Sequence, residues 1–115
     1  MTPRSSPSYS DSRDFQRVAA SSEVAESAMI VVTVAHRRLI ITRFQGRLYA
    51  FSTLCPHAAA DLSQGQLYRG RIDCPDHGYR FDIRTGRALW PPDEVCRLTH
   101  FEVKESAGHI LVRLH

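Results

Sequence analysis

Residues 74–86 read Cys74-Pro75-Asp76-His77-Gly78-Tyr79-Arg80-Phe81-Asp82-Ile83-Arg84-Thr85-Gly86, and a shorter upstream segment reads Cys55-Pro56-His57. Together the two segments offer two thiolates and two imidazoles, as one Cys/His pair in each segment. Zinc fingers usually place two Cys together and two His together, whereas here each segment supplies one sulfur and one nitrogen. This pattern suits a binuclear centre whose two metals take different ligands.

The chain from Met29 onward carries the pattern of β-strands, because it is rich in Val, Ile, Phe and Tyr. Three successive strands are predicted, over Met29 to Ala35, Leu39 to Phe44 and Arg47 to Phe51, and a tight turn at Gln45-Gly46 joins the last two. Alternating apolar residues predict two more strands near the C-terminus. The only helix predicted is a short one, or a single turn, around Ser22 to Ser27. The sequence thus predicts an all-β, antiparallel fold with both Cys/His segments on loops.

Length and composition predict one domain preceded by a tail. The chain has 115 residues, which suits a single core. Residues 1–13 contain five Ser and two Pro and almost no apolar side chain, so a disordered tail is expected there, with the domain over residues 14–115. The longest nearly apolar run, over residues 28–35, falls far short of the roughly twenty residues that cross a membrane.

The remaining features of the sequence predict a cytoplasmic, monomeric protein with no membrane association. The first residues lack the apolar stretch of a signal peptide. The number of cysteines is three, an odd count that fits a reducing compartment. The formal net charge is +3, which favours an acidic docking partner, but the basic residues are scattered and carry no interleaved aromatic side chains. No nucleic-acid partner is therefore predicted.

The longer segment resembles a family motif at every defined position. It matches C-P-x-H-G-x-x-F-D-x-x-T-G of the Rieske proteins, and the chain is similar to their soluble ferredoxin type, which feeds electrons to oxygenases. Cys55-Pro56-His57 with the following Leu62 resembles the family's first cluster loop, and the strand Arg47–Phe51 that leads into it is also similar. The resemblance extends from about Phe15 to the C-terminus.

The resemblance implies a fold, a cofactor and a ligand set. The fold would be an antiparallel Rieske-type β-sandwich with two cluster-binding loops at one end. The cofactor would be one 2Fe-2S cluster, with Cys55 and Cys74 binding one iron and His57 and His77 the other. A proline-containing cover loop would correspond to Pro91 and Pro92.

Departures from the family pattern predict a low reduction potential. Respiratory members carry a disulfide between the cluster loops, at positions that are Ala60 and Asp76 here, so this bond is absent. They also direct a Ser and a Tyr hydroxyl at the cluster sulfurs, where Tyr79 and Phe81 stand here. Since fewer hydrogen bonds to sulfur stabilise the reduced cluster less, we expect a potential near the lower end of the Rieske range, about −150 mV. Ala59 also stands where many members have Gly.

The Cys and His residues of the two segments also fit two other kinds of site, a structural zinc site and a nucleophilic Cys/His pair. A structural zinc site takes the same Cys₂His₂ set, although the Gly-aromatic-x-Phe-Asp context favours the cluster. A nucleophilic Cys/His pair is disfavoured because both segments are so alike. Cys96 is interpreted as a small buried or half-buried side chain, and Trp90 as a packing anchor.

The function predicted is that of a one-electron carrier between a ferredoxin reductase and a terminal oxygenase or similar acceptor. The chain has no room for the additional mononuclear iron site of a complete oxygenase, so it is expected to be a component of an oxidoreductase system and not a complete enzyme. Two alternatives stay open: a Rieske-like small subunit resembling that of nitrite reductase, and a redox or metal sensor.

Overall fold

The computed structural model describes residues 14–56, 60–76 and 78–114. Within these ranges ten strands form two antiparallel sheets: β1 Gln16–Ala20, β2 Met29–Val34, β3 Arg37–Phe44, β4 Arg47–Ser52, β5 Gln66–Tyr68, β6 Arg71–Asp73, β7 Arg80–Asp82, β8 Ala88–Trp90, β9 His100–Ser106 and β10 His109–Arg113. The larger sheet has the order β1-β10-β9-β4-β3-β2, and the smaller has the order β5-β6-β7-β8. Single turns of 3₁₀ helix follow β1, at Ser21–Glu23, and precede β5, at Leu62–Gln64.

Three tight turns set the register of the larger sheet. Gln45 and Gly46, between β3 and β4, both have positive φ, of 53° and 79°. Ala35 and His36 repeat this geometry between β2 and β3, as do Ala107 and Gly108 between β9 and β10. Two consecutive residues of positive φ give a hairpin turn that matches the twist of the flanking strands. The Glu26 carboxylate accepts hydrogen bonds from the amides of Gln45 and Gly46 at 2.5 and 3.0 Å. The predicted hairpin turn at Gln45-Gly46 is therefore confirmed.

Strand β3 is buried on both faces and separates two cores. Leu39 and Ile41 point into one core, whereas Ile40, between them, points into the other. The two edge strands of the larger sheet, β1 and β2, contact each other, so this sheet curls around the first core. Fully buried members of that core besides Leu39 and Ile41 are Ala50, Ile110 and Val112.

The second core lies where the larger sheet meets the smaller one. Its buried residues come from both sheets and from the loops between them: Ile40, Phe51, Cys55, Leu62, Ile72, Cys74, Phe81, Ile83 and Leu98. Because two cysteines belong to this core, packing positions them as firmly as it does the aliphatic side chains. The fold therefore places one cysteine from each Cys/His segment in the same core.

The structure confirms the all-β, antiparallel prediction and corrects its details. The short helix or turn predicted around Ser22 to Ser27 is a single 3₁₀ turn at Ser21–Glu23, too short to gain from helical cooperativity. Strand β1 was missed, because Gln16–Ala20 has only partial alternation of burial. The predicted tail at residues 1–13 lies outside the described residues. In the described part of the chain, no helix has the length and apolar character needed to span a membrane.

Candidate metal centre

The two Cys/His segments lie on neighbouring loops. The first loop leaves the end of β4 and leads through the 3₁₀ turn at Leu62–Gln64 into β5, and the second connects β6 to β7. Cys55 and Cys74 stand near the starts of these loops, only 4% and 3% exposed. Both cysteines belong to the same buried core, and Cys55 is near enough to contribute to the raised pKa of Cys74. The fold thus brings together the two cysteines that the sequence places on separate segments.

The same backbone bond closes both loops. The Cys55 N–H donates to the Ala60 carbonyl at 2.9 Å, and the Cys74 N–H donates to the Tyr79 carbonyl at 2.7 Å. In each loop the bond joins the cysteine to the residue five positions later, so each histidine of the sequence motif falls inside a closed loop. A backbone that is fixed at both ends of a short loop limits the positions its side chains can reach.

Asp61 anchors the exit of the first loop. Its carboxylate accepts hydrogen bonds from the Ser63 N–H and hydroxyl at 2.9 and 2.6 Å and from Arg38 at 2.9 Å. These bonds, with that of the Ser63 hydroxyl the largest cause, hold the pKa of Asp61 below its ordinary value. The next residue, Leu62, is fully buried and donates its N–H to the Thr53 carbonyl at 2.7 Å. The first loop is thereby fastened to the core immediately after it closes.

The surroundings of Cys74 favour a neutral thiol unless a cation is bound. Burial, reinforced by the neighbouring Cys55, raises the pKa of Cys74 to about 11. The Asp76 N–H acts in the opposite sense, because it donates to the Cys74 sulfur at 3.4 Å and so stabilises negative charge there. Two thiols that share a buried site ionise together only when a metal ion supplies the compensating positive charge.

The histidines of the predicted ligand set, His57 and His77, lie outside the described residues. The assignment of Cys55, His57, Cys74 and His77 as ligands therefore stays a prediction. The described half of the site fits the predicted group in its chemistry: two adjacent sulfur donors, shielded from water, with a backbone N–H directed at one of them. Buried thiolates of this kind suit iron-sulfur clusters and zinc alike.

Residues 91–96, which we call the cover segment, are linked to the second loop through one carboxylate. Glu94 accepts hydrogen bonds from the amides of Val95 and Cys96 at 3.1 and 3.0 Å and also from the Tyr79 hydroxyl. Burial, followed by the charge and hydrogen bond of Glu94, raises the pKa of Tyr79. The Tyr79 carbonyl is the group that closes the second loop, so Glu94 connects that loop to the cover segment.

The Tyr79 ring also makes two aromatic contacts. The Tyr79 ring stacks on Phe81 with centroids 6.4 Å apart and meets the Trp90 ring edge-on at 6.3 Å. Trp90 packs as predicted but keeps 49% of its surface exposed. Cys96 is half-buried, which confirms its interpretation, and its pKa is raised mainly by a hydrogen bond to Glu94.

Neither Asp61 nor Glu94 belongs to a sequence motif that predicts a metal site. Asp61 stands two residues before Ser63 and directly before a short helical turn, and this capping signal could have revealed it. Glu94 had no comparable signal, because its link to Tyr79 spans fifteen positions of the chain and depends on how β8 and the following segment fold back.

Comparison with known proteins supports a cluster over zinc. The chain matches the Rieske [2Fe-2S] domain family over residues 14–105. It is 43% identical over 70 residues to the ferredoxin component of the naphthalene 1,2-dioxygenase system of Pseudomonas aeruginosa, covering 61% of this chain and 67% of that protein. It is 27% identical over 103 residues to the ferredoxin component of the alkene monooxygenase system of Xanthobacter autotrophicus, covering 89% of this chain and 83% of that one.

Solved structures show the same fold. The ferredoxin of carbazole 1,9a-dioxygenase from Nocardioides aromaticivorans IC177 superposes with a TM-score of 0.79 at 30% identity, over 88% of this chain and 98% of that one. A chain from the complex of reduced oxygenase and oxidized ferredoxin in carbazole 1,9a-dioxygenase gives a TM-score of 0.80 at 31% identity, over 90% and 95% of the two chains. The chain therefore belongs to the Rieske [2Fe-2S] domain family, as a ferredoxin-type electron carrier with one 2Fe-2S cluster.

Proposed function

We propose that Cys55 and Cys74 bind one iron of the cluster, and that His57 and His77 bind the other. The observation that carries this assignment is the matched closure of the two loops, each by a bond from the cysteine N–H to the residue five positions later. Since each histidine of the motif falls inside its closed loop, each loop would present one sulfur and one nitrogen ligand. When bound, the cluster takes up and releases one electron.

The protein's own residues would hold the cluster and limit its contact with water. The buried core that contains Cys55, Cys74 and Phe81 supports the loops from below. The cover segment, tied to Tyr79 through Glu94, supports them from the side. A site with little water has a low local dielectric, and this disfavours the extra negative charge of the reduced state. The arrangement therefore favours a readily oxidised carrier.

We further propose that the chain carries electrons from a ferredoxin reductase to a terminal oxygenase. Its relatives are named as ferredoxin components of dioxygenase and monooxygenase systems, and one structural neighbour comes from a complex with its oxygenase. A cytoplasmic location is part of this proposal and is supported by the free thiols of Cys55, Cys74 and Cys96, which fit a reducing compartment. The monomeric state stays a prediction.

A single-turnover experiment tests the carrier role. Dithionite-reduced protein, freed of excess reductant, is mixed with the oxidised oxygenase component of a naphthalene 1,2-dioxygenase system. We expect the cluster absorbance of the protein to recover its oxidised form as the oxygenase is reduced. When naphthalene and O₂ are also supplied, we expect naphthalene dihydrodiol to form, with two electrons and two protons consumed for each O₂ added. A reduced protein that stays reduced with this oxygenase and with that of an alkene monooxygenase system would contradict the role and favour a sensor.

A further inference from the structure

Two arginines beside the cover segment lie directly opposite each other. Arg87 and Arg97 are partners in an isolated antiparallel bridge, and the Leu98 N–H donates to the Gly86 carbonyl at 2.9 Å next to it. A bridge flanked in this way is a non-hydrogen-bonded pair, in which the Cα atoms are only about 4.5 Å apart and the side chains are close. Like charges directly opposite each other destabilise a sheet. The Arg87–Arg97 pair therefore does not contribute to the stability of the fold through its charges.

Neither arginine takes part in an ion pair with another described residue. Each of the ion pairs formed by the described residues involves other arginines, and both Arg87 and Arg97 are exposed. Glu94 is near them, but its carboxylate already accepts the hydrogen bonds of Val95, Cys96 and Tyr79. Its charge reduces the positive field of the pocket that it lines with Arg87 and Arg97.

The two arginines share a pocket with the cover segment. The pocket has a volume of about 180 Å³ and is lined by Arg87, Ala88, Pro92, Glu94, Val95, Cys96 and Arg97. Val95 is 87% exposed, and the neighbouring Leu89 is 50% exposed. Exposed apolar side chains beside unpaired arginines are typical of protein interfaces, where Arg is enriched and apolar residues form the centre.

We propose that Arg87 and Arg97 form the docking site for carboxylate side chains of an acidic protein that exchanges electrons with this chain. A carboxylate placed between the two guanidinium groups would neutralise their repulsion and accept hydrogen bonds from both. A small pocket with an apolar rim suits a side chain of a folded partner, whereas a nucleic-acid strand would need a longer basic groove and stacking aromatic rings.

The position of the site fits this use. Ala88 lines the pocket and packs against the buried core that contains Cys55 and Cys74, and Glu94 joins the pocket wall to Tyr79 at the end of the second loop. A partner held there would lie beside the predicted cluster loops. The inference rests on the proposed carrier function for the identity of the partner, but the binding site itself can be tested without electron transfer.

The test uses the holoprotein and a synthetic hexaglutamate peptide. Binding at low ionic strength is followed by the fluorescence of Trp90, the sole tryptophan, which lies two residues beyond the pocket-lining Ala88. The variant R87Q/R97Q is compared with R17Q/R47Q, which loses the same net charge from two exposed arginines elsewhere. R87K/R97K keeps the charge but loses the planar guanidinium groups.

We expect R87Q/R97Q to weaken peptide binding about fivefold or more, R17Q/R47Q to change it less than about twofold, and R87K/R97K to fall between them. Equal weakening in the two Gln variants would overturn the site, because only net charge would matter. Inorganic phosphate that binds as tightly as the peptide, or a hexathymidylate that binds more tightly with the same dependence on Arg87 and Arg97, would overturn the assignment to a protein partner. If the peptide still binds but the protein fails to reduce any oxygenase, the docking site is supported and only the carrier function is contradicted.

Discussion

The guanidinium of Arg43 forms two hydrogen bonds with the carboxylate of Glu105, at 3.0 and 2.8 Å, and so joins β3 to β9 across the larger sheet. Arg43 also donates to the carbonyls of Val24 and Ser21, at 2.9 and 3.3 Å. The pair therefore holds the 3₁₀ turn after β1 against the sheet. Its strength depends on an ionised Glu105.

Acid should remove the contribution of this pair to stability. The hydrogen bond from Arg43, followed by that from Ser21, lowers the pKa of Glu105 to about 2 from an ordinary 4.5. A lowered pKa in the folded state means that the stabilisation is complete above the ordinary value and disappears as the pH falls through about 2. We expect E105Q to have a lower Tm than the parent protein at pH 6, with the difference shrinking towards pH 2.5.

The matched control is E102Q, which removes the other β9 carboxylate that pairs with an arginine, Arg113. This pair lies at a more exposed position, with both partners at least 36% exposed, so its loss should lower Tm less. Thermal unfolding followed by circular dichroism at several pH values measures both variants. A pH-independent difference between E105Q and the parent would contradict the assigned role of ionisation.

Removing the Asp61 cap should loosen the first loop. D61A eliminates the hydrogen bonds to Ser63 and Arg38, and loss of such a cap costs about 0.5–2 kcal/mol. D61N keeps an oxygen for the Ser63 N–H but loses the charge that pairs with Arg38, so its cost should be smaller. Urea titration measures the stability, and the decay of cluster absorbance in the presence of a chelator measures loop integrity. If D61A loses its cluster no faster than D61N does, the Asp61 cap does not hold the first loop.

Gly65 should be irreplaceable for steric reasons. A Cβ at this position would collide with the Asp73 carbonyl oxygen, and Asp73 directly precedes Cys74. G65A must push β5 away from β6 at the base of the second loop, which should cost about 1–3 kcal/mol as overpacking does. We expect G65A to bind less cluster, as measured by the iron content of the purified protein.

The comparison variant for this effect is G46A. Gly46 has a φ of 79° with no atom within 4 Å of an added Cβ, so alanine there introduces backbone strain only, at a hairpin tip away from the loops. We expect G65A and G46A to lose similar amounts of stability. Only G46A should keep its full iron content. Normal iron content in G65A would show that the backbone adapts without disturbing Cys74.

The Tyr79 hydroxyl should have little effect on the reduction potential. In the structure this hydroxyl donates to Glu94, and the Asp76 N–H is the group that donates to the Cys74 sulfur. We therefore expect a potential near about −150 mV, the lower end of the Rieske range, and nearly the same value in Y79F. A redox titration that gives a strongly positive potential, or a large drop in Y79F, would show that hydroxyl groups reach the sulfurs.

The sequence predicted the long hairpins and the two Cys/His loops, but it did not predict the short strands of the smaller sheet. Strands β5 to β8 have three residues each, too few for an alternating pattern to be recognised. The strands β2 to β4 were recognisable because their apolar residues extend over six to eight positions.

Contacts between residues that are far apart in the chain could not be predicted from the sequence either. The Glu94 link to Tyr79 and the opposition of Arg87 and Arg97 depend on how the chain turns after β8, and no local signal in the sequence encodes that path. By contrast, Cys55 and Cys74 were found from their local motifs alone, because ligand residues at a metal site have a distinctive type and spacing.

We propose that Cys55, His57, Cys74 and His77 together hold one 2Fe-2S cluster. The electron paramagnetic resonance spectrum of the dithionite-reduced protein at low temperature tests this ligand set. We predict a rhombic signal with a low average g value, which indicates one iron with histidine ligands beside one with cysteine ligands. A colourless protein that contains zinc and gives no signal, or a signal typical of a cluster with four cysteine ligands, would contradict the claim.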